Sequence, residues 1–444
     1  MDYRGLSQQL VKQCLSRGAR AAEVYLEAGR DLTIRVRNED VESVQESSSH
    51  GVGLRILVDG KMGFAYSNDL SDGSLDQAIA SAVGFASRMS PDDSNMLPDD
   101  PGVTNVPGLH DPGLGRVSME DKIELIKKVE QLAMGDPRAS KSGGSSYGES
   151  HREIYLANSN GMQKDFQSSA CRYGISVVAE KEDQKSNGSE SCARRYYADL
   201  LPPESVAGTA VQRAHEMLDP RIVKTQRAAV VFAPETADSL LGGILGAING
   251  EAVLQGASFL REMMEKKIGA GILTLVDDGT RPKGMSSRPF DGEGVPTRKR
   301  TIVEQGVLRG FLYNTIVARR AGVQSTGNAS RRDYTGLPGI GAHDFYLMAG
   351  DGNPEAIIRS TRKGLYLKGA TGYGINPVNG NYSAGARGFW IENGAIAFPV
   401  KDLTIAGTAA EILNGIDMIG ADLDLDRYSA PTFRVKEMQI GGAS

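Results

Sequence analysis

Apolar residues at helical spacing alternate with strand-like stretches through the first part of the chain. Leu6, Leu10 and Cys14 recur every four residues and predict a helix over about 3–17, which Gly18 ends. Alternating apolar and polar positions then predict strands, and Asp59-Gly60 between two of them predicts a tight hairpin. A second amphipathic helix is predicted over about 74–88.

The pattern changes between residues 91 and 115, where five prolines and five aspartates stand among glycine and asparagine. No apolar periodicity remains there, so we interpret residues 93–116 as an exposed linker or a long excursion of the chain. The linker would separate an N-terminal unit, residues 1–92, from a second unit, residues 117–222. Ser118 and Asp121 have the spacing of a helix cap and predict that a helix begins at that point.

The second unit repeats the pattern of the first. The sequence of Glu153–Leu156 resembles that of Glu23–Leu26, and in each unit a polar strand, an alternating hairpin and a helix follow. This repeat predicts an α+β fold in which an antiparallel sheet backed by helices occurs twice, as a duplication. Residues 226–444 are rich in glycine and in short strands bounded by turns, which predicts a β-rich, barrel-like C-terminal domain. Helices are predicted to interrupt that domain near residues 237–256, 315–321 and 354–363.

Composition narrows the classes of function. Fifty basic and 55 acidic residues give a net charge of −5, whereas a dedicated nucleic-acid binder needs clustered Lys and Arg. Three widely spaced cysteines do not form a disulfide framework and suit a reducing compartment. No apolar run approaches the roughly 20 residues of a membrane-spanning helix. We therefore expect a cytoplasmic protein that binds neither nucleic acid nor membranes.

Few residues suggest chemistry by themselves. The five histidines stand singly, and Pro220 ends the His215-Glu216 segment before a second histidine returns to the same helix face. His343 lies in a strand-like run, where its role stays open. Asp291 and Glu293 are the best carboxylate pair, although holding the backbone N–H groups of a turn is favoured over acid–base catalysis.

Two loops of uncharged hydroxyl and amide side chains could bind the backbone of an extended peptide without reading its side chains. Together with the carboxylate pair they give a set of candidate peptide-lining residues: Asp291, Glu293, Ser325, Thr326, Asn328, Asn381 and Ser383. Ordinary turn chemistry is an equally good interpretation of each loop taken singly.

Five segments of the second half occur in a fixed order: Ser286–Val295, Ser325–Ala329, Asn379–Gly394, Pro399-Val400 and Leu403–Gly407. In this order they resemble the C-terminal half of the TldD/TldE (PmbA) family, described as metallopeptidase subunits and as modulators of DNA gyrase. The resemblance extends to the N-terminal half of the chain.

The resemblance also indicates a branch of the family. In TldD, a helix carries His-Glu-x-x-x-His, in which the histidines bind a metal ion and the glutamate activates water. Here the matching positions hold Gly242, Gly243 and Ala247, and no cysteine stands in the C-terminal half to match the family's late ligand. The chain is therefore similar to the TldE/PmbA branch, which implies no metal, cofactor or catalytic residue of its own. Zinc or a similar metal is expected only in a TldD-type partner.

The leading hypothesis is a non-catalytic subunit that completes a TldD/TldE-type metallopeptidase in the proteolysis of unfolded peptides. One alternative is a homodimeric peptide-binding protein without peptidase activity. Another is a hydrolase with its own unrecognised site, for which Asp291 and Glu293 are the candidates.

Overall fold

A computed structural model describes residues 1–443 of the chain. Within them, residues before about 220 form an antiparallel sheet backed by helices, and the remainder forms a barrel with long connecting loops. The α+β fold class and the barrel-like C-terminal domain are confirmed.

The N-terminal half runs helix–strand–strand–strand–helix twice. The helices are α1 (Tyr3–Ser16), α2 (Asp72–Arg88), α3 (Met119–Met134) and α4 (Pro203–His215). The strands are β1 (Ala21–Arg37), β2 (Asp40–Val58), β3 (Lys61–Ser67), β4 (Lys141–Asn158), β5 (Gln163–Lys181) and β6 (Gln184–Arg194).

All of these strands join a single antiparallel sheet in the order β3-β2-β1-β4-β5-β6. Each unit is thus a three-stranded meander, and the pairing of β1 with β4 joins the two meanders. The two units share one strand order, as the repeat predicts.

One detail of the predicted repeat is wrong. Glu23–Leu26 and Glu153–Leu156 do not occupy equivalent positions, because they lie side by side: Leu26 pairs with Tyr155, and Tyr25 pairs with Leu156. Strand β4 begins at Lys141, so Glu153 stands near its end, whereas Glu23 stands near the start of β1. The two motifs look alike because both follow the two-residue alternation of a strand with one buried face.

The two faces of this sheet have different partners. Val24, Leu26 and Ile34 of β1 pack under the helices, where they join the apolar clusters formed by α1 to α4. Tyr25, on the opposite face, joins a cluster with Phe290 of the C-terminal domain. The sheet is therefore buried on both sides over part of its length.

The helix that ends each unit lies very close to the third strand. A Cβ atom added to Gly63 of β3 would overlap the carbonyl oxygen of Ala82 in α2. In the second unit, a Cβ atom on Gly188 of β6 would overlap the carbonyl oxygen of Ala210 in α4. Small residues on both elements permit this approach, so the packing device recurs along with the strand order.

Residues 93–116 connect the two units, but the segment is not exposed along its whole length. The segment is packed: Leu114 is fully buried, and the carbonyl of Leu109 accepts a hydrogen bond from the backbone N–H of Ser169 in β5, at 3.0 Å. Thr104 donates its backbone N–H to Pro289 of the C-terminal domain, also at 3.0 Å. Prolines interrupt the apolar periodicity of helices and strands without preventing burial. The composition of this segment therefore did not reveal that part of it is buried.

The C-terminal domain contains short helices between its strands: α5 (Asp238–Ala247), α6 (Gly250–Leu254), α7 (Thr315–Ala321), α8 (Pro354–Arg359) and α9 (Ala409–Gly415). Its strands are β7 (Gln226–Phe232), β8 (Leu275–Asp278), β9 (Lys299–Glu304), β10 (Val307–Leu308), β11 (Ala329–Ser330), β12 (Gly339–Ile340), β13 (Asp344–Leu347), β14 (Lys363–Ile375), β15 (Asn381–Glu392), β16 (Ala395–Thr408), β17 (Ile416–Ile419) and β18 (Phe433–Gly441).

The long strands close a barrel. They follow the order β16-β15-β14-β7-β18-β17, and the pairing of β16 with β18 brings the sheet back onto itself. The barrel core includes Phe232 and Phe433, whose rings stack with centroids 4.7 Å apart. A smaller sheet, β10-β9-β8-β13, and the hairpin of β11 with β12 carry the loops that face the N-terminal half. Among the described residues, no helix is long and apolar enough to cross a membrane.

The close approach of α2 to β3 makes a prediction about Gly63. Gly63→Ala should lower the free energy of unfolding by about 1–3 kcal/mol, because the new methyl group meets helix backbone that must move. Gly84→Ala, on α2 with open space around it, should be neutral or stabilise by up to about 1 kcal/mol, since alanine is the better helix former. Denaturant unfolding of the two variants gives the comparison, and equal effects would show that α2 does not lie this close.

Candidate functional site

Helix α5 lies against strand β14 at a distance that leaves no room for a side chain. A Cβ atom on Gly243 would overlap the carbonyl oxygen of Ile375, whereas one on Gly242 would meet no atom within 4 Å. Ala247, one turn further on, is fully buried in the barrel core. None of these three positions carries a donor atom, and position 243 cannot accept a glutamate without moving the helix. A catalytic metal of the His-Glu-x-x-x-His kind does not fit this helix.

Gly242 opens onto a cavity of about 270 Å³, which His343, Asp344 and Tyr428 also line. Asp344 is already engaged, because it accepts hydrogen bonds from Arg281 at 3.0 Å and from the backbone N–H of Ser286 at 3.3 Å. Across residues 1–443, no group of three or more His, Cys, Asp or Glu side chains lies close enough together to hold a metal ion.

His343 is largely buried between Asp277 and the loop that contains Gly327. Burial lowers the pKa of His343, although the carboxylate of Asp277 opposes that effect. Its Nε2 lies 2.8 Å from the carbonyl oxygen of Gly327, so this nitrogen carries the hydrogen in the neutral ring. The backbone N–H of His343 donates to Asp277 at 2.6 Å. The ring therefore braces the loop that contains Gly327.

The hydroxyl and amide groups of that loop bond neighbouring segments of the same chain. Thr326 Oγ1 accepts from the backbone N–H of Tyr313 at 2.8 Å and lies 3.0 Å from the Tyr313 carbonyl. Ser325 Oγ contacts the same carbonyl at 3.4 Å. Asn328, which is buried, donates to Asp277 at 2.7 Å and to the Gly341 carbonyl at 3.0 Å. These contacts shape the loop and leave little for a peptide to use.

Asp291 organises the glycine-rich turn in which it stands. One of its carboxylate oxygens accepts from the backbone N–H groups of Glu293 and Val295, both at 2.9 Å, and the other accepts from Ala329 at 2.8 Å. Burial and the nearby Glu293 raise the pKa of Asp291 to about 7, whereas the three N–H groups favour the charged form. The side chain thus ties the turn to strand β11.

Glu293 points the other way, into the boundary between the two halves of the molecule. Its Oε2 accepts from the backbone N–H of Thr315 at 2.8 Å, at the start of α7, and its Oε1 contacts Arg55 Nη1 at 2.7 Å. Burial opposes the charged form of Glu293, but the Arg55 guanidinium and the hydrogen bonds from Thr315 and Arg55 together lower the pKa of Glu293. Glu293 is therefore a buried carboxylate.

Arg55 continues the contact into the N-terminal sheet. Its Nη2 contacts Glu23 of β1 at 2.6 Å, and the other oxygen of Glu23 contacts Arg331 of the C-terminal domain. Arg331 also donates to the carbonyls of Gly292 at 2.7 Å and Gly336 at 2.9 Å. The side chains of Glu23, Arg55, Glu293 and Arg331 are all at most 1% exposed. We call this set the buried ion network.

The buried ion network balances its charges, since two guanidinium groups face two carboxylates. Burial acts to lower the pKa of Arg55, but Glu23 and Glu293 together raise it. Arg331 also lies against an aromatic face, with its guanidinium carbon 4.8 Å from the centroid of the Tyr25 ring. Each charge therefore has a partner on the other side of the boundary between the halves.

The structure does not bring the residues predicted to line a peptide together at one surface. Asp291, Glu293 and Asn328 are buried and hold protein groups, while Ser325 and Thr326 contact the Tyr313 backbone. Asn381 and Ser383 are exposed on β15, on the outside of the barrel, because the alternate residues Tyr382 and Ala384 are buried inside it. No hydrogen bond among the described residues joins these two to the others.

Sequence reasoning missed Glu23, Arg55 and Arg331. Glu23 in β1 and Arg55 in β2 alternate with buried apolar residues, a pattern that ordinarily places the charged side chain on a solvent-exposed face. Only the docking of the C-terminal domain on that face buries them, and no local signal in the sequence reveals it.

Protein-family models and individual relatives match this chain over most of its length. Models of the PmbA/TldA metallopeptidase match the chain in three parts: domain 1 over residues 22–86, the central domain over residues 112–218 and the C-terminal domain over residues 225–442. The metalloprotease PmbA of Escherichia coli O157:H7 is 31% identical over 429 residues, covering 95% of this chain and 92% of that protein. A metalloprotease TldD homolog of Haemophilus influenzae is 24% identical over 454 residues, covering 95% and 93%.

Solved structures share the fold over the whole length. A putative modulator of DNA gyrase from Bacteroides thetaiotaomicron has a TM-score of 0.91 at 27% identity, covering 100% of this chain and 99% of that one. TldE from Thermococcus kodakarensis has a TM-score of 0.87 at 24% identity, covering 98% and 99%, which shows a common fold.

The buried ion network predicts the effect of removing its central cation. Arg55→Met should lower the free energy of unfolding by about 3–5 kcal/mol, because Glu23 and Glu293 lose a buried partner. The matched variant Arg35→Met changes an exposed arginine of β1 and should stay within about 0.5 kcal/mol of the wild type. Denaturant unfolding of both variants tests this, and a small loss in Arg55→Met would mean that water reaches the network.

Proposed function

The chain belongs to the PmbA/TldA metallopeptidase family, and we propose that within it this protein is a non-catalytic, TldE/PmbA-like subunit. A TldD-type partner would bind the metal and provide the glutamate that activates water. The assembled pair would act in the proteolysis of unfolded peptides.

The packing of α5 on β14 is the observation that carries this proposal. A substitution that merely removed a ligand would leave space where a histidine or glutamate once stood. At Gly243 the space itself is absent, because the Ile375 backbone fills it. The helix packs too closely on β14 to admit a glutamate at this position, as expected of a subunit with a structural role.

The proposal of a partner rests on the two types of relative that this chain matches, PmbA and TldD. Relatives named PmbA and relatives named TldD both align with more than nine-tenths of this chain, so the two types share one architecture. Two subunits of the same fold can associate through equivalent surfaces, while only one of them carries the metal.

The hydrolase alternative lacks support from the geometry. Both oxygens of Asp291 accept backbone N–H groups, and both oxygens of Glu293 are occupied by Arg55 and Thr315. Neither carboxylate reaches a surface where a substrate could bind, since Asp291 is 2% and Glu293 0% exposed. A general acid or base must come within hydrogen-bond reach of its substrate.

We also propose a cytoplasmic location and no direct contact with nucleic acid. Cys14, Cys171 and Cys192 are buried as free thiols, as is typical of proteins kept in a reducing compartment. The net charge of −5 gives no general attraction for phosphate groups.

The test is reconstitution. We expect no cleavage of fluorescein-labelled casein by this chain alone, and cleavage that a chelator abolishes once a His-Glu-x-x-x-His subunit from the same genome is added. That subunit alone serves as the control. Cleavage by this chain alone that resists the chelator would contradict the proposal, and Glu293→Gln would then identify the hydrolase alternative. Peptide binding without cleavage in any mixture would instead favour the homodimeric binding protein.

A further inference from the structure

An open groove runs along the edge of the N-terminal sheet. Strand β3 is the terminal strand in the sheet order, and α2 crosses beside it, leaving a groove of about 400 Å³ along its outer edge. Thr335, from a loop of the C-terminal domain, closes one side of this groove. We call it the edge groove.

The backbone of β3 presents free hydrogen-bonding groups to the edge groove. Asp59-Gly60 forms a two-residue turn, so Val58 and Lys61 make the first hydrogen-bonded pair of the hairpin. Hydrogen-bonded pairs recur at every second residue, so Gly63, Ala65 and Ser67 also direct their N–H and C=O groups toward β2. The N–H and C=O groups of Phe64 and Tyr66, which alternate with them, point outward, away from β2. In the described part of the chain, no hydrogen bond reaches these outward groups. An extended peptide can therefore pair with them.

The side chains around the edge groove are uncharged. Helix α2 contributes Gln77, Ser81 and Phe85, which recur every four residues and so share one helix face. Phe64 and Tyr66 of β3 add aromatic surface, with Tyr66 56% and Phe85 52% exposed. No Asp, Glu, Lys or Arg lines the groove, although such residues make up 24% of the chain. Half of the lining residues are Ser, Thr or Gln, so the groove offers polar contacts beside its aromatic surface and no partner for a charged side chain.

We propose that the edge groove binds an extended, uncharged segment of an unfolded polypeptide as an added strand beside β3. Added-strand recognition takes its affinity from main-chain hydrogen bonds and its selectivity from pockets for alternate side chains. Here Phe64 and Tyr66 supply the hydrogen bonds, and the face of α2 supplies the pocket. The proposal rests on the proposed function only for the source of the peptide.

The shape of the groove favours a single extended segment over the edge of another folded sheet. The groove has α2 on one side and the loop at Thr335 on the other. The Tyr334 ring of that loop stands 6.3 Å from the Tyr66 ring, centroid to centroid, next to the groove. A folded sheet would have to fit between the same two sides to reach the backbone of Tyr66.

Binding can be measured by fluorescence anisotropy with a fluorescein-labelled, amidated peptide of alternating serine and phenylalanine, using the full-length chain. The matched variants are Ser81→Lys, inside the groove, and Ser87→Lys, an exposed serine of the same helix that does not line it. Ser81→Lys should weaken binding about tenfold or more, because the long lysine side chain takes up space that the peptide needs and places an unpaired charge beside an uncharged segment. Ser87→Lys should bind as the wild type does, and melting curves of both variants confirm folding.

Three outcomes would overturn the proposal. The first is absence of binding to the wild type, and the second is an equal loss in both variants. The third is a homodimer that Ser81→Lys dissociates without any peptide binding, which would assign the groove to a second copy of the chain. Cleavage by the reconstituted pair is a separate readout, so binding at the groove and the proposed function can fail independently.

Discussion

The buried ion network of Glu23, Arg55, Glu293 and Arg331 is the constraint on which the relation between the two halves depends. Burying two guanidinium groups and two carboxylates is costly unless each charge is paired and its remaining groups are satisfied. The N-terminal sheet supplies Glu23 and Arg55, and the C-terminal domain supplies Glu293 and Arg331, so every ion pair but one crosses the boundary. Within the sheet, Glu23 and Arg55 have only each other, and the ion pairs of Glu293 and Arg331 in this network all reach across the boundary.

This network explains why the glycine-rich turn at Asp291 and Glu293 has its unusual composition. Arg331 donates to the carbonyl of Gly292, and Gly294 adopts a positive φ of 85°. At this position a side chain would be strained, and a Cβ atom would overlap the sulfur of Met162. The carboxylates of the turn therefore organise the boundary between the halves. In the proposed complex, this chain contributes a rigid frame, and the TldD-type partner binds the metal and the water that the metal activates.

The sequence predicted a good part of this architecture and less of its chemistry. Helices such as α7 and the hairpin at Asp59-Gly60 follow from local signals, namely an apolar face and a turn that tolerates positive φ. The absence of donor atoms at Gly242, Gly243 and Ala247 could also be read from the residues and the resemblance alone. The reason that position 243 excludes any side chain could not, because it lies in the approach of Ile375 from a strand more than a hundred residues away. Arg55 and Glu23 were missed for the same cause: their burial depends on long-range docking.

Metal content is the most direct test of the central claim that this chain carries no catalytic metal. The chain would be purified alone and as a complex with a His-Glu-x-x-x-His subunit, dialysed against trace zinc, and analysed by elemental mass spectrometry. The account predicts background zinc in the chain alone and stoichiometric zinc in the complex, carried entirely by the partner when the two are separated. Stoichiometric zinc retained by this chain alone after mild chelation would contradict it.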